Sequence, residues 1–187
     1  PLLPPIPGLH DKLGKEGSTV YSIFDMIENV NSYPEDMTGK KVVVIGGGAV
    51  GLDVVEFFAP RGAQTAIVEM LPAIGNGIDP VSKVGTFALM DKYGVRQMPN
   101  TALKEVRPDS FLVETKEGME ELPFDYGFVC LGMKANAPVL DEIREAFADD
   151  SSVEIVNIGD SVRARRIIEG TDEGINILNT LQKRSFL

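Results

Sequence analysis

The most regular hydrophobic pattern in the chain begins after Lys40-Lys41. Val42, Val43, Val44 and Ile45 form a run with no polar alternation, as expected of a parallel strand covered on both faces. The run stops at Gly46-Gly47-Gly48. Beyond it Val50, Val54, Val55, Phe57 and Phe58 recur at helical spacing as far as Pro60-Arg61-Gly62, where proline weakens the last turn and glycine can take a left-handed cap. Ala63 to Val68 reads as a second strand, closed by Glu69. Strand, tight turn, helix and strand within about 30 residues make a right-handed parallel crossover.

Further along, the spacing predicts a helix over 80–93, with Asp79 or Ser82 as its cap and Gly94 at its end, then a short strand at 95–98. Strict alternation of strand and helix then breaks. Three short strand-like pieces, at 101–106, 110–115 and 119–122, are separated by Pro108-Asp109 and Glu117-Gly118, the signature of a β-meander. Phe128-Val129-Cys130-Leu131 resumes a buried strand, Gly132 interrupts it, and 137–147 is helix-like. After a polar turn containing Asp149-Asp150, a last strand is expected at 153–158 and a final helix at 162–181. Upstream, residues 1–8 hold four of the 12 prolines and read as a linker or extended arm, and 18–29 fits a brief strand entering one or two helical turns. The fold class is α/β, a Rossmann-like parallel sheet with a β-meander in place of one crossover helix.

Composition narrows the partners. With 187 residues the chain has the length of one ordinary domain, or of one domain with pieces of a neighbour. A hydrophobic share of 43% and a charged share of 25% lie in the globular range. The net charge of −10 argues against nucleic acid and anionic lipid, both of which need a basic face. One cysteine, Cys130, and one histidine, His10, exclude an internal disulfide, a thiolate cage and a His-rich metal site, so no metal is expected. Cys130 reads as a core residue and His10 as solvent-facing. No stretch approaches the ~18 apolar residues of a membrane helix, and a cytoplasmic setting follows as the expectation. The chain opens on Pro1 without an initiator methionine, which reads as a piece cut from something longer.

The strongest chemical signal is Gly46-x-Gly48-x-x-Gly51, set between the apolar strand and the amphipathic helix and followed by Glu69 at the end of the next strand. Gly46 permits the tight turn, Gly48 lets the backbone approach a pyrophosphate, and Gly51 allows helix and strand to pack closely. Free amides at the helix start stabilise phosphate charge. Glu69 would accept hydrogen bonds from the adenosine ribose 2′-hydroxyl, and a carboxylate there repels a 2′-phosphate. NAD and FAD share this fingerprint, so the residues alone leave the choice between them open.

With these residues in place the chain resembles the pyridine-nucleotide-disulfide-oxidoreductase type of domain, in which an NADH-binding unit is inserted into an FAD-binding unit. It is particularly similar to the C-terminal region of the 2-enoate reductase, 2,4-dienoyl-CoA reductase and trimethylamine dehydrogenase group. The matching residues are Pro5-Ile6-Pro7-Gly8, Val44 to Gly51, Val68-Glu69, Leu131 to Asn136, and Ile158-Gly159-Asp160 followed by Arg165 and Gly174. The resemblance implies three parts: a linker and partial FAD-domain segment at 1–39, the NADH-binding domain at 40–147, and a strand and helix returning to the FAD domain at 148–187. It implies a cofactor surface of Gly46, Gly47, Gly48, Ala49, Val50, Gly51, Asp53, Glu69, Met70, Gly132, Gly159 and Asp160, with no catalytic side chain. Asp160 would hold the ribityl or phosphate region of FAD and could at the same time cap the final helix. Asp53 stands where the group usually carries a longer glutamate near the nicotinamide. Arg163, Arg165 and Arg166 could face flavin phosphate or be ordinary surface charge. FAD belongs to the full-length parent, and FMN and an iron–sulfur cluster to regions outside this chain. The function implied is presentation of NADH for hydride transfer to FAD by a fragment inactive in isolation. The alternative is a free-standing NAD(H)-binding regulatory or sensing module.

Overall fold

The computed structural model describes residues 3–132, 135, 138–165 and 167–179. The chain divides into two compact units, Leu3–Gly132 and the described residues beyond it.

In the first unit the strands β1 (Val20–Tyr21), β2 (Lys41–Ile45), β3 (Gln64–Val68), β4 (Arg96–Met98) and β8 (Tyr126–Val129) form a parallel sheet in the order β1-β8-β2-β3-β4. The helices α3 (Ala49–Phe58) and α4 (Pro80–Lys92) join β2 to β3 and β3 to β4. Between β4 and β8 the antiparallel meander β5 (Ala102–Val106), β6 (Ser110–Thr115) and β7 (Gly118–Pro123) stands where another crossover helix would be.

The unalternating run of β2 has a direct cause. Val42 and Val44 face a core with Leu52, Val55, Phe58, Ile67 and Met90, while Val43 and Ile45 face a second core with Val68, Phe111, Val113 and Leu122. Successive strand residues point to opposite faces, so a strand between helices and a meander must be apolar at every inner position. Asp79 is the cap of α4, accepting from the amides of Val81 at 3.0 Å and Ser82 at 2.9 Å. Gly62 takes the left-handed conformation (φ 87°) that ends the helix region after α3.

Residues placed by the sequence in a segment separate from the nucleotide domain share its sheet and core. Val20–Tyr21 is the edge strand beside β8, and Leu9, in the single-turn helix α1 (Leu9–Lys12), is fully buried with Val106 and Phe111. Leu3 and Ile6 pack on that core, and the Val106 amide donates to the carbonyl of Pro7 at 2.9 Å, so the proline segment lies along the meander. The helix α2 (Ile23–Glu28) starts with a capping box between Ser22 and Asp25. His10 is exposed.

The second unit holds α5 (Pro138–Ala146) and α6 (Ile167–Ile175). The strand expected at 153–158 is absent: the segment has no ladder partner among the described residues, and apolar β-branched residues do not make a strand without one. The final helix starts at Ile167 rather than at 162. The Ser161 hydroxyl bonds to Asn157 and to the carbonyl of Ile158, holding Gly159–Ser161 as a single tight turn instead. Residues 180–181 of the expected helix lie outside the described residues. No helix of the described chain is long and apolar enough to cross a membrane.

Candidate functional site

Each glycine of the motif has a different structural reason. Gly46 has φ 105°, and a Cβ there would lie 2.2 Å from the carbonyl oxygen of Cys130 in the neighbouring strand segment. A Cβ on Gly51 would come within 1.8 Å of the Gly46 carbonyl oxygen, so the first turn of α3 rests directly on the glycine turn. At Gly48 the same construction meets nothing within 4 Å: its Cα faces open space. Gly48 is the N-cap of α3 and no side chain caps the helix. The amides at the start of α3, carried by Ala49 and Val50, are therefore left without a side-chain acceptor beside that open face.

Glu69 follows the last residue of β3. Its amide donates to Met98 and its carbonyl accepts from Thr101, both at 2.9 Å, so its backbone is fixed on two sides. The half-buried carboxylate turns back on the motif: Oε2 accepts from the Gly47 amide at 2.7 Å and Oε1 from the Leu71 amide at 2.7 Å. The chain beyond Leu71 folds over the same turn, with the Gly75 amide donating to the Gly47 carbonyl at 2.7 Å. Met70 is exposed at 69%. Behind this loop a hollow of about 240 Å³ is lined by Pro72, Ile74, Phe87 and Pro99, with Lys83 and Gln97 as its polar members.

Asp53, on the second turn of α3, is exposed, and partial desolvation together with Glu56 raises its carboxyl above the usual range. Burial, and secondarily the Asp53 carboxylate, pushes the Cys130 thiol up to about 12. The thiol is therefore neutral at physiological pH, as befits a packing residue rather than a nucleophile. Among the described residues no group of three or more His, Cys, Asp or Glu side chains is arranged to hold a metal.

The structure thus joins the turn from Gly46 to Gly51, open at Gly48, to Glu69 through the Gly47 amide, with Met70 exposed next in sequence. Gly132 closes the first unit in a left-handed conformation (φ 81°); Met133, Lys134 and Asn136 lie outside the described residues. Gly159 and Asp160 belong to the second unit. There the Gly159 amide donates to Glu173 Oε2 at 2.7 Å, and Asp160 Oδ1 accepts from the Arg165 amide at 3.1 Å. Asp160 does not cap α6, which starts seven residues later. The Arg165 guanidinium is engaged by Glu173 at 2.5 Å, Arg163 is exposed, and Arg166 lies outside the described residues. Three contributors had no motif to reveal them: Leu71 and Gly75, which act through backbone amides, and Glu173, whose acceptor role depends on how the chain returns to Gly159.

A family model described as pyridine nucleotide-disulphide oxidoreductase matches residues 1–157. The bilirubin reductase of Mediterraneibacter gnavus (strain CC55_001C) is 30% identical over 167 residues, covering 89% of this chain and 25% of that protein. The NADH oxidase of Thermoanaerobacter brockii is 28% identical over 178 residues, covering 95% of this chain and 26% of that protein. Among solved structures, a 2-naphthoyl-CoA reductase superposes with a TM-score of 0.68 at 24% identity, over 91% of this chain and 24% of the other. The chain therefore spans about a quarter of the length of these relatives.

Proposed function

Because the chain belongs to the pyridine nucleotide-disulphide oxidoreductase family, we propose that it is the NADH-binding part of a flavin-dependent oxidoreductase and presents the nicotinamide for hydride transfer to FAD. The observation that carries this reading is the pairing of an uncapped helix start beside the open Gly48 face with the oriented carboxylate of Glu69. A dinucleotide needs both: amides for the pyrophosphate and an acceptor for the adenosine ribose. The names of two relatives, an NADH oxidase and a bilirubin reductase, support an oxidoreductase role.

Bound NADH supplies the hydride, and the protein's share is to bind and orient it. The amides of α3 would hold the pyrophosphate, Glu69 would accept from the ribose hydroxyl, and Asp53, farther along α3, would stand near the nicotinamide. The matches at Leu131-Gly132 and Ile158-Gly159-Asp160 favour the 2-enoate reductase, 2,4-dienoyl-CoA reductase and trimethylamine dehydrogenase group. Within that reading the unit Leu3–Gly132, with β1 in its sheet, carries NADH, while Asp160, in the second unit, would meet FAD in the flavin domain of a larger parent. Calorimetric titration of the chain tests the central claim. NADH should bind more tightly than NADPH by about 1–3 kcal/mol, the scale of a lost charged hydrogen bond with opposed charge. Equal binding, or tighter NADPH, overturns it.

A further inference from the structure

The glycine motif leaves its second position free, yet in this chain that position, Gly47, is the one in contact with the acid. Gly47 is buried, its amide donates to Glu69 Oε2 at 2.7 Å and its carbonyl accepts from Gly75 at 2.7 Å. A Cβ on Gly47 would lie 2.9 Å from Glu69 Cβ, 3.2 Å from Glu69 Oε2 and 3.2 Å from Ile74 Cγ1. The backbone of Gly47 is not left-handed, so conformation alone would admit alanine. Only the contact with Glu69 and Ile74 forbids it. Glu69 cannot give way through its flexible end, because the closest atom is its Cβ and its backbone is tied to Met98 and Thr101.

We infer that Gly47 is a positioning residue that sets Glu69 for the ribose 2′-hydroxyl, and so determines the choice between NADH and NADPH. The inference rests on the NADH reading above. With the amides of Gly47 and Leu71 holding one oxygen each, the carboxylate has one orientation and presents its remaining lone pairs to the ligand. A methyl at 47 wedges it off that orientation. The hydroxyl then loses its acceptor, and a 2′-phosphate no longer meets a fixed negative charge.

The test is a set of NADH and NADPH titrations of the 187-residue chain, followed calorimetrically, with thermal melts to establish folding. Gly47→Ala should weaken NADH about tenfold and leave NADPH within about twofold, narrowing the ratio between them. In a Glu69→Ala background, adding Gly47→Ala should change that ratio less than about twofold, since nothing is left to position. Glu69→Asp, which adds no atom to the turn and is one methylene too short to keep the Gly47 contact, should narrow the ratio in the same direction and serves if Gly47→Ala does not fold. An unchanged ratio in Gly47→Ala or Glu69→Asp overturns the inference, as does an equal loss for both nucleotides that persists without Glu69. Those outcomes leave the NADH reading standing, whereas a wild-type chain that binds neither nucleotide overturns the reading and this inference with it.

Discussion

At Gly48 the missing side chain makes no room for protein, and the role proposed for it concerns a ligand. Its φ of −80° and ψ of −175° are extended backbone that any residue adopts, and a Cβ there meets no protein atom within 4 Å. Gly48→Val should therefore fold with a melting temperature close to wild type while placing two methyl groups where the proposed site would take the pyrophosphate. NADH affinity measured by calorimetry should fall by about tenfold or more, which is about 1.4 kcal/mol. A folded variant with unchanged affinity would remove this turn from the site. Gly48 thus differs from its two predecessors, whose absent Cβ atoms make room for protein: the Cys130 carbonyl at Gly46, and Glu69 with Ile74 at Gly47. The sequence separates the roles of Gly46 and Gly48 through the motif's spacing. It is silent on Gly47, because nothing local says that the carboxylate 22 positions later folds back to that amide.

The unit of β2, turn, α3 and β3 is where sequence and structure agree most closely, and the reason is locality. Each boundary is marked by a residue that acts there: Ile45 before the turn, Gly62 after the helix, Glu69 after β3. The same locality makes Gly51 the hinge of packing between helix and strand. Two effects compete in Gly51→Ala: alanine gains about 1 kcal/mol of helix propensity, while its Cβ would stand 1.8 Å from the Gly46 carbonyl oxygen and 3.3 Å from Val44 Cγ1. A backbone carbonyl in a fixed turn cannot move aside, so overpacking prevails. A net loss of about 1–3 kcal/mol is expected from the urea midpoint, and a variant as stable as wild type would show that the turn yields. Non-local elements were less legible. Val20–Tyr21 finds its place only beside Tyr126–Val129, more than a hundred residues on, and two residues carry too little pattern to announce such a partner. The run at 153–158 shows the converse, having a strand's composition without a neighbour to pair with among the described residues.

At the scale of the whole molecule the two cofactor sites implied by the sequence are unequally represented. The glycine turn, the start of α3 and Glu69 all belong to the unit Leu3–Gly132, where the Gly47 amide ties the turn to Glu69. For a flavin the proposed reading leaves Asp160 and the helix α6, since it gives the chain's single Gly-x-Gly-x-x-Gly motif to NADH. Asp160 accepts from the Arg165 amide, and the Gly159 amide is taken by Glu173, so even these groups are partly engaged within their own unit. A dinucleotide site normally buries most of its ligand, and one carboxylate with one helix cannot offset the cost of ordering so large a molecule. The chain purified alone should accordingly be colourless, hold no stoichiometric FAD and oxidise no NADH when FAD is added, yet still bind NADH. Joined to a parent supplying the rest of the flavin domain, it should gain NADH-dependent flavin reduction, read as bleaching of the flavin band. A yellow preparation of the isolated chain with one FAD per molecule would reverse the assignment and make the turn at Gly46 to Gly51 the flavin site. Glu69 would then be expected to bind the flavin's adenosine ribose, and Glu69→Ala would release the colour.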